Sequence, residues 1–393
     1  MNDAGADVQV RSLSAWLLGE GYRFATPGAF LEAFAERLCQ AGLPLCRLTL
    51  TLSQLHPVFR AVTFQWYRGE AATEIPRRRE NMTSRIFSHS PIALAMRTRA
   101  PLRRRLVGPE AELDFPVLEE FRDKGITDYY VVPLDFGGPQ DGGITTYSSD
   151  RVDGFDRSHV ALIDQLTPAL NLVGTVHADR RSIEGLLTTY VGEEPARRIL
   201  GGEVVRGVGH TVRAVVWWCD LRGFTRLSEG LARDDMLGLL NTYFAAAVDA
   251  VHEQDCEVLK FMGDAVLAIF RCEDGDDCSA AQRALAAVRD MQDALAEANR
   301  ERMALGEPAI ECGIALHLGP VMYGNIGAPE RLDFTVIGPT VNRVSRLAQL
   351  CGPLGETVVL SADVAGAAAI AVRPLGRHVF KGLEEEQAAF APA

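Results

Sequence analysis

The sequence predicts a two-domain chain of mixed α/β (α+β) class, on three observations. Its 393 residues suffice for two domains of roughly 150–200 residues each. Its composition, 47% hydrophobic and 23% charged, is that of a globular protein and excludes disordered and collagen-like chains. Its hydrophobic pattern changes along the chain, from helical periodicity to alternation and then to an ordered series of strands and helices.

Residues 12–41 carry two apolar-periodic stretches, SLSAWLLGEGYRF and FLEAFAERLCQAG, the second stopped by Gly42, and these predict two helices. From Cys46 the residues alternate in CRLTLTLSQL and AVTFQWYRG. After an arginine-rich passage they alternate again in YYVVPLDF and GGITTYSS, on either side of GGPQDGG. Alternation buries one face of each segment, so these predict strands of an antiparallel sheet. A helical stretch from Ser158 to about His177 completes residues 1–177 as an antiparallel-sheet α/β module. Residues 178–203 mix helical periodicity with charge before Gly201-Gly202, and predict a helical linker.

Residues 204–393 begin with strand VRAVVWWC (212–219), helix 231–253 and the strand pair EVLKFM and AVLAIF. A long helix from about Cys278 to Leu305 follows, then strand AIECGIALHLG with a hairpin near Gly319-Pro320. Strand DFTVIG, helix 339–351 and strand TVVLS complete the series. The order β-α-β-β-α-β predicts a ferredoxin-like split βαβ domain.

The net charge is -12, and residues 191–393 hold 29 acidic against 19 basic groups. That balance argues against a general electrostatic grip on nucleic acid or an anionic membrane, so a bound phosphate needs a local site. Eight cysteines are scattered without a C-x-x-C pair, which reads as reduced thiols. The start MNDAGADVQV has no signal-peptide pattern, and no run approaches the ~18 apolar residues of a membrane span, so the expectation is a cytoplasmic protein.

Three segments carry chemistry. In VVWWCDLRGFT a buried strand delivers Asp220, and the chain then turns through Gly223 into a helix. The backbone N–H groups of Leu221 to Thr225 would face a phosphate there; the plain alternative is an aspartate capping a helix. In LKFMGDAVLAIF two strands meet at a turn carrying Asp264. If that hairpin adjoins the Asp220 strand, two carboxylates converge and suit a pair of Mg²⁺ or Mn²⁺ ions bridging phosphates. In DFTVIGPTVNRVSRL, Asn342 and Arg346 are i and i+4 on one helix, so an amide and a guanidinium share a face; an exposed polar pair is the plain alternative.

These segments, in this order, resemble the class III adenylate/guanylate cyclase catalytic domain over about residues 205–385. The resemblance implies conversion of a nucleoside triphosphate to its 3′,5′-cyclic monophosphate with release of pyrophosphate. It assigns Asp220, Leu221 and Asp264 to two Mg²⁺ (or Mn²⁺) ions, Lys260 and Thr335 to the base, and Asn342 and Arg346 to ribose and transition state. It also assigns Gly223, Phe224, Thr225 and Lys381 to the phosphates, and implies a head-to-tail homodimer with two shared sites. Where the family often has an acidic residue after the glycine of T-V-I-G, this chain has Pro339, which suits a helix start.

Base choice follows from hydrogen-bond polarity. Adenine offers an acceptor at N1 and a donor at N6, which Lys260 and the Thr335 hydroxyl match; guanine would prefer a carboxylate at position 260. ATP and adenylate cyclase activity are therefore expected, with a guanylate cyclase or a catalytically silent signalling module as the alternatives. Residues 1–177 are similar to GAF-type sensor modules and imply regulation by an unknown small molecule or protein. His56, Cys39 and Cys46 read as core or surface residues, and the triplets Arg77–Arg79 and Arg103–Arg105 read as solvated loops, with an anion or acidic partner as the alternative.

Overall fold

Alternation and helical periodicity sort this chain into two units, Met1–Leu186 and Leu187–Ala393. The structure, a computed structural model, describes residues 3–82, 84–137, 142–380 and 386–393.

The first unit opens with α1 (Asp3–Gly19) and α2 (Pro27–Gln40). Thr26 caps α2, its Oγ1 accepting from the Ala29 N–H at 3.2 Å, and Pro27 occupies the first helical position. Six strands follow: β1 (Arg47–Ser53), β2 (Phe59–Tyr67), β3 (Thr73–Arg78), β4 (Leu102–Arg105), β5 (Asp128–Leu134) and β6 (Gly143–Ser149). They form one antiparallel sheet in the order β3-β2-β1-β6-β5-β4. Short helices α3 (Arg79–Met82), α4 (Arg85–Ser88), α5 (Pro91–Thr98) and α6 (Pro116–Asp123) lie between strands, and α7 (Arg157–Val191) continues well past His177.

Period-two alternation decides the faces. Leu48, Leu50 and Leu52 of β1 enter a core with Phe30 and Phe34 of α2 and Leu166 and Leu170 of α7. A smaller cluster on the other side joins Ala95 of α5 and Leu118 of α6 to Tyr129, Val131 and Ile144. The triplet Arg103–Arg105 is not a solvated loop but strand β4, where Arg103 bridges the fully buried Asp128 at 2.6 Å and Arg104 bridges Asp114 at 2.8 Å. An edge strand tolerates arginines because their heads leave the sheet for carboxylates.

The second unit contains α8 (Glu193–Leu200), β7 (Gly209–Leu221), α9 (Phe224–Gly230), α10 (Arg233–His252), β8 (Glu257–Met262), β9 (Ala265–Arg271) and α11 (Asp277–Ala304). After these come β10 (Cys312–Ala328), β11 (Arg331–Ile337), α12 (Pro339–Ala348), α13 (Cys351–Leu354), β12 (Val358–Ser361), α14 (Ala362–Ala368), β13 (Val372–His378) and β14 (Gln387–Pro392). Four strands take the order β10-β7-β9-β8 with antiparallel neighbours, as the ferredoxin-like expectation requires, and β12, β14 and β13 extend the sheet beyond β10. Val215, Trp217 and Cys219 of β7 face Tyr243 of α10 and Met291 of α11, while Ala214 and Val216 face a second core containing Val344 and Leu347 of α12.

The hairpin expected near Gly319-Pro320 is absent: β10 runs straight through to Ala328, and the reversal into β11 comes at 329–330. A proline survives in this central strand because β12 pairs β10 at Ile314–Leu316 and β11 pairs it from Met322 onward. Between them one side of β10 has no ladder for the missing N–H to interrupt. The expected helix 231–253 is α10, preceded by the separate short helix α9, and helix 339–351 ends at Ala348. Among the described residues, no helix is long and apolar enough to cross a membrane.

Candidate active site

Asp220 stands next to the end of β7, at the buried strand's junction with the turn that Gly223 makes into α9 at φ +69. Asp264 is the second residue of the two-residue turn between β8 and β9, where Gly263 takes φ +67. The register settles their relation. Asp220 is level with Ala265, the residue after Asp264, so the hairpin delivers the second carboxylate beside the first.

The electrostatics agree. Burial first, and then the hydrogen-bonding Asp264 carboxyl, push Asp220 up to about 6. Two carboxyls that resist ionising together form a hard-oxygen donor pair whose repulsion a divalent cation would relieve, so these residues fit Mg²⁺ or Mn²⁺. Among the described residues no group of three or more His, Cys, Asp or Glu is placed to hold a metal ion. Leu221 keeps its side chain in the core, leaving only its backbone to serve a metal.

The expected run of phosphate-facing N–H groups is shorter than the sequence suggests. The Arg222 N–H donates to the Glu311 carbonyl at 2.8 Å, and the Leu221 N–H serves the Asp220 carboxyl. Gly223, Phe224 and Thr225 remain at the start of α9, where the first-turn N–H groups have no acceptor within the helix.

A second group of residues assembles around β11. Lys260 of β8 donates through Nζ to Asp333 Oδ2 at 2.7 Å. Thr335, two residues along, shares that strand face; it is 4% exposed and its Oγ1 has no hydrogen-bond partner. A buried orphan hydroxyl is costly unless a ligand satisfies it. Sequence reasoning missed Asp333, because its role depends on β11 meeting Lys260 of β8.

The α12 helix begins at Pro339 after Gly338, so the departure from the family pattern costs no helix. Thr340, Val344 and Leu347 are buried, which turns Asn342 and Arg346 outward on the opposite side. Among the described residues neither side chain has a hydrogen bond or ion pair, and no hydrogen bond or ion pair links Asp220 or Asp264 to Lys260, Thr335, Asn342 or Arg346. Among the described residues the carboxylate pair and the Lys260–Asp333–Thr335 group are thus not bonded to each other within one protomer. Lys381 lies outside the described residues.

Against known proteins, the family model for the adenylate and guanylate cyclase catalytic domain matches residues 210–387. An adenylate cyclase of Anabaena cylindrica is 36% identical over 163 residues, which are 40% of this chain and 31% of that protein. The adenylyl cyclase CyaB from P. aeruginosa is similar at 25% identity and a TM-score of 0.44, over 47% of this chain and 96% of that one. The guanylyl cyclase Cya2 is similar at 30% identity and a TM-score of 0.42, over 46% and 92%. The chain spans about a third of the length of the curated relatives it matches.

Proposed function

Residues 210–387 belong to the class III adenylate and guanylate cyclase catalytic-domain family, and from that premise we propose that the second unit converts ATP to 3′,5′-cyclic AMP and pyrophosphate. The observation that carries the choice of ATP is the buried, unpartnered Thr335 hydroxyl on the strand face that also holds the Lys260–Asp333 pair. The hydroxyl accepts from adenine N6 and the ammonium donates to N1.

Asp220 and Asp264 hold the divalent cations, with Leu221 contributing through its backbone. Bound there, such ions lower the pKa of the ribose 3′-hydroxyl and neutralise the triphosphate. Asn342 orients the ribose, and the N–H groups at Gly223, Phe224 and Thr225 hold phosphate oxygens, with Lys381 at the terminal phosphates. Arg346 stabilises the charge that spreads over the α-phosphoryl oxygens as the 3′-oxygen attacks in line and pyrophosphate leaves. Because the Arg346 and Asn342 side chains have no hydrogen bond or ion pair among the described residues, the reading includes a homodimer whose two sites each combine both protomers. The first unit, a helix-flanked six-stranded antiparallel sheet upstream of the catalytic one, is read as its GAF-like regulator.

The test is turnover by the purified full chain with ATP or GTP, each with Mg²⁺ or Mn²⁺, with products separated by chromatography and identified by mass. Cyclic AMP from ATP, lost in Asp264→Ala, is the expected result. Cyclic GMP in excess would move the assignment to guanylate cyclase, and no cyclic nucleotide from either substrate would leave a silent signalling module.

A further inference from the structure

The face of the first unit's sheet turned from the main core carries the smaller apolar cluster at β5 and Ile144, but it is largely polar across β1, β2 and β3, and there its charge is unbalanced. While Leu48, Leu50 and Leu52 of β1 enter the main core, Arg47, Thr49, Thr51 and Ser53 point the other way. Residues level across the ladders share that face: Ser148 with Arg47, Gln65 and Thr146 with Thr49, Thr63 with Thr51. From β3, Arg77 is level with Ala61, which is itself level with Ser53.

Neutral acceptors hold both arginines. Arg47 donates to Gln65 Oε1 at 2.7 Å through Nη2 and at 3.2 Å through Nε, and to Thr146 Oγ1 at 3.4 Å through Nη1. Arg77 Nε donates to Thr63 Oγ1 at 3.0 Å. Arg47 is only 9% exposed, and a guanidinium keeps its charge inside proteins.

Elsewhere in the unit arginines find acids: Arg68 bridges Asp150 at 3.1 Å, Arg103 bridges Asp128 and Arg104 bridges Asp114. Among the described residues, no carboxylate lies within bridging distance of Arg47 or Arg77. The Tyr67 and Phe121 rings, 5.8 and 5.3 Å from the Arg47 guanidinium, offset part of one charge and none of the other. Arg77 keeps part of its surface in water, yet partial burial and then the Arg47 charge hold it below the ordinary arginine range. The two cations therefore feel each other.

Two further donors wait on the same face. Ser148 Oγ, in a residue with no exposed surface, and Ser53 Oγ, in one 9% exposed, have no hydrogen-bond partner among the described residues. One is level with Arg47 and the other, through Ala61, with Arg77. The residues that anchor the guanidiniums, Gln65 and Thr63, are two apart on β2, which spaces them by about 7 Å. A guanidinium carbon sits ~4 Å from the centre of an oxyanion it binds, so both reach one anion.

We propose that this face binds a small oxyanion, the phosphate or carboxylate group of a metabolite, between Arg47 and Arg77. The site is independent of the chemistry assigned to the second unit.

The experiment is isothermal titration of the full chain in a buffer free of phosphate and carboxylate at matched chloride, with inorganic phosphate and succinate as separate probes. Saturable binding is expected, and the probe that binds identifies whether phosphate or carboxylate is the preferred group. Arg77→Gln, on an exposed edge strand, weakens it at least tenfold. Arg47→Met abolishes it while leaving the thermal midpoint without anion unchanged or raised, because an unbalanced buried charge is removed. Binding persists in Arg346→Ala. Absence of saturable binding by both probes, binding undiminished in either arginine variant, or loss of binding in Arg346→Ala would each overturn the site.

Discussion

Thr335 shows how a single side chain separates a binding group from a structural one. Its buried hydroxyl has no partner among the described residues, so it contributes nothing to the fold that an isosteric methyl would not. Thr335→Val is therefore expected to leave stability unchanged or raise it by up to about 1 kcal/mol, while KM for ATP rises several-fold. Urea unfolding and steady-state kinetics check the two halves, and a destabilised variant with normal KM would make Thr335 structural. Asp333→Asn belongs to the same argument. The amide keeps an acceptor for Lys260 but loses the charge that strengthens the 2.7 Å bond, and KM for ATP should rise roughly threefold to tenfold with a smaller change in kcat. A fall in kcat at constant KM would instead place Asp333 with the reacting phosphates. Asp220 and Asp264 could be singled out in the sequence because one ends an apolar strand three residues before Gly223 and the other follows Gly263 in a turn. Asp333 could not, because its meaning depends on β8 and β11 meeting, which no local pattern announces.

At the scale of elements, the legible parts were those with strong periodicity and clear stops: α2 between Thr26 and Gly42, α11 between Asp276 and Gly306, and β7 and β9 as buried apolar runs. What escaped was set by pairing. Pro320 looked like a turn because the gap between β12 and β11 that accommodates it is a property of the sheet. The docking of α8 was equally hidden. Its first turn presents the Glu194 N–H to Glu257 Oε1 at 3.1 Å, and Tyr323 Oη donates to Glu257 Oε2 at 3.4 Å. Burial, against the pull of the Glu194 N–H and of Arg271, pushes Glu257 up to about 7, with the Glu194 charge adding to the rise. Between the ordinary glutamate value and pH 7 the folded chain holds a proton that the unfolded chain has released. Stability therefore falls as pH rises through that window. This group should account for a loss on the order of 1–3 kcal/mol between pH 5 and 8, absent in Glu257→Gln. Urea midpoints of the two proteins across that range measure it, and parallel profiles would remove Glu257 as the cause.

At the scale of the whole molecule the question is how two clusters that do not bond to each other within one protomer make one site. The carboxylate pair lies at the junction of β7 with the β8–β9 turn, whereas Lys260, Asp333 and Thr335 gather on β8 and β11 and α12 turns Asn342 and Arg346 outward. A head-to-tail dimer would bring the carboxylates of one protomer to the base-reading and α12 groups of its partner, and a closed two-fold gives two such sites. Asp220→Ala should abolish turnover by removing half of the metal pair. Arg346→Ala should lower kcat about 10²-fold or more by removing transition-state charge stabilisation. Mixed in equal amounts and allowed to exchange, the two variants form heterodimers as about half of all dimers, each with one site of intact composition and one doubly damaged. Activity should then recover to about a quarter of the unsubstituted protein, far above either variant alone. The measurement is cyclic nucleotide formation against mixing ratio, at a concentration where sedimentation shows dimers, with a maximum expected at equal proportions. A flat line joining the two low activities would mean that each protomer completes its own site, and the two clusters would then have to meet through a rearrangement within one chain.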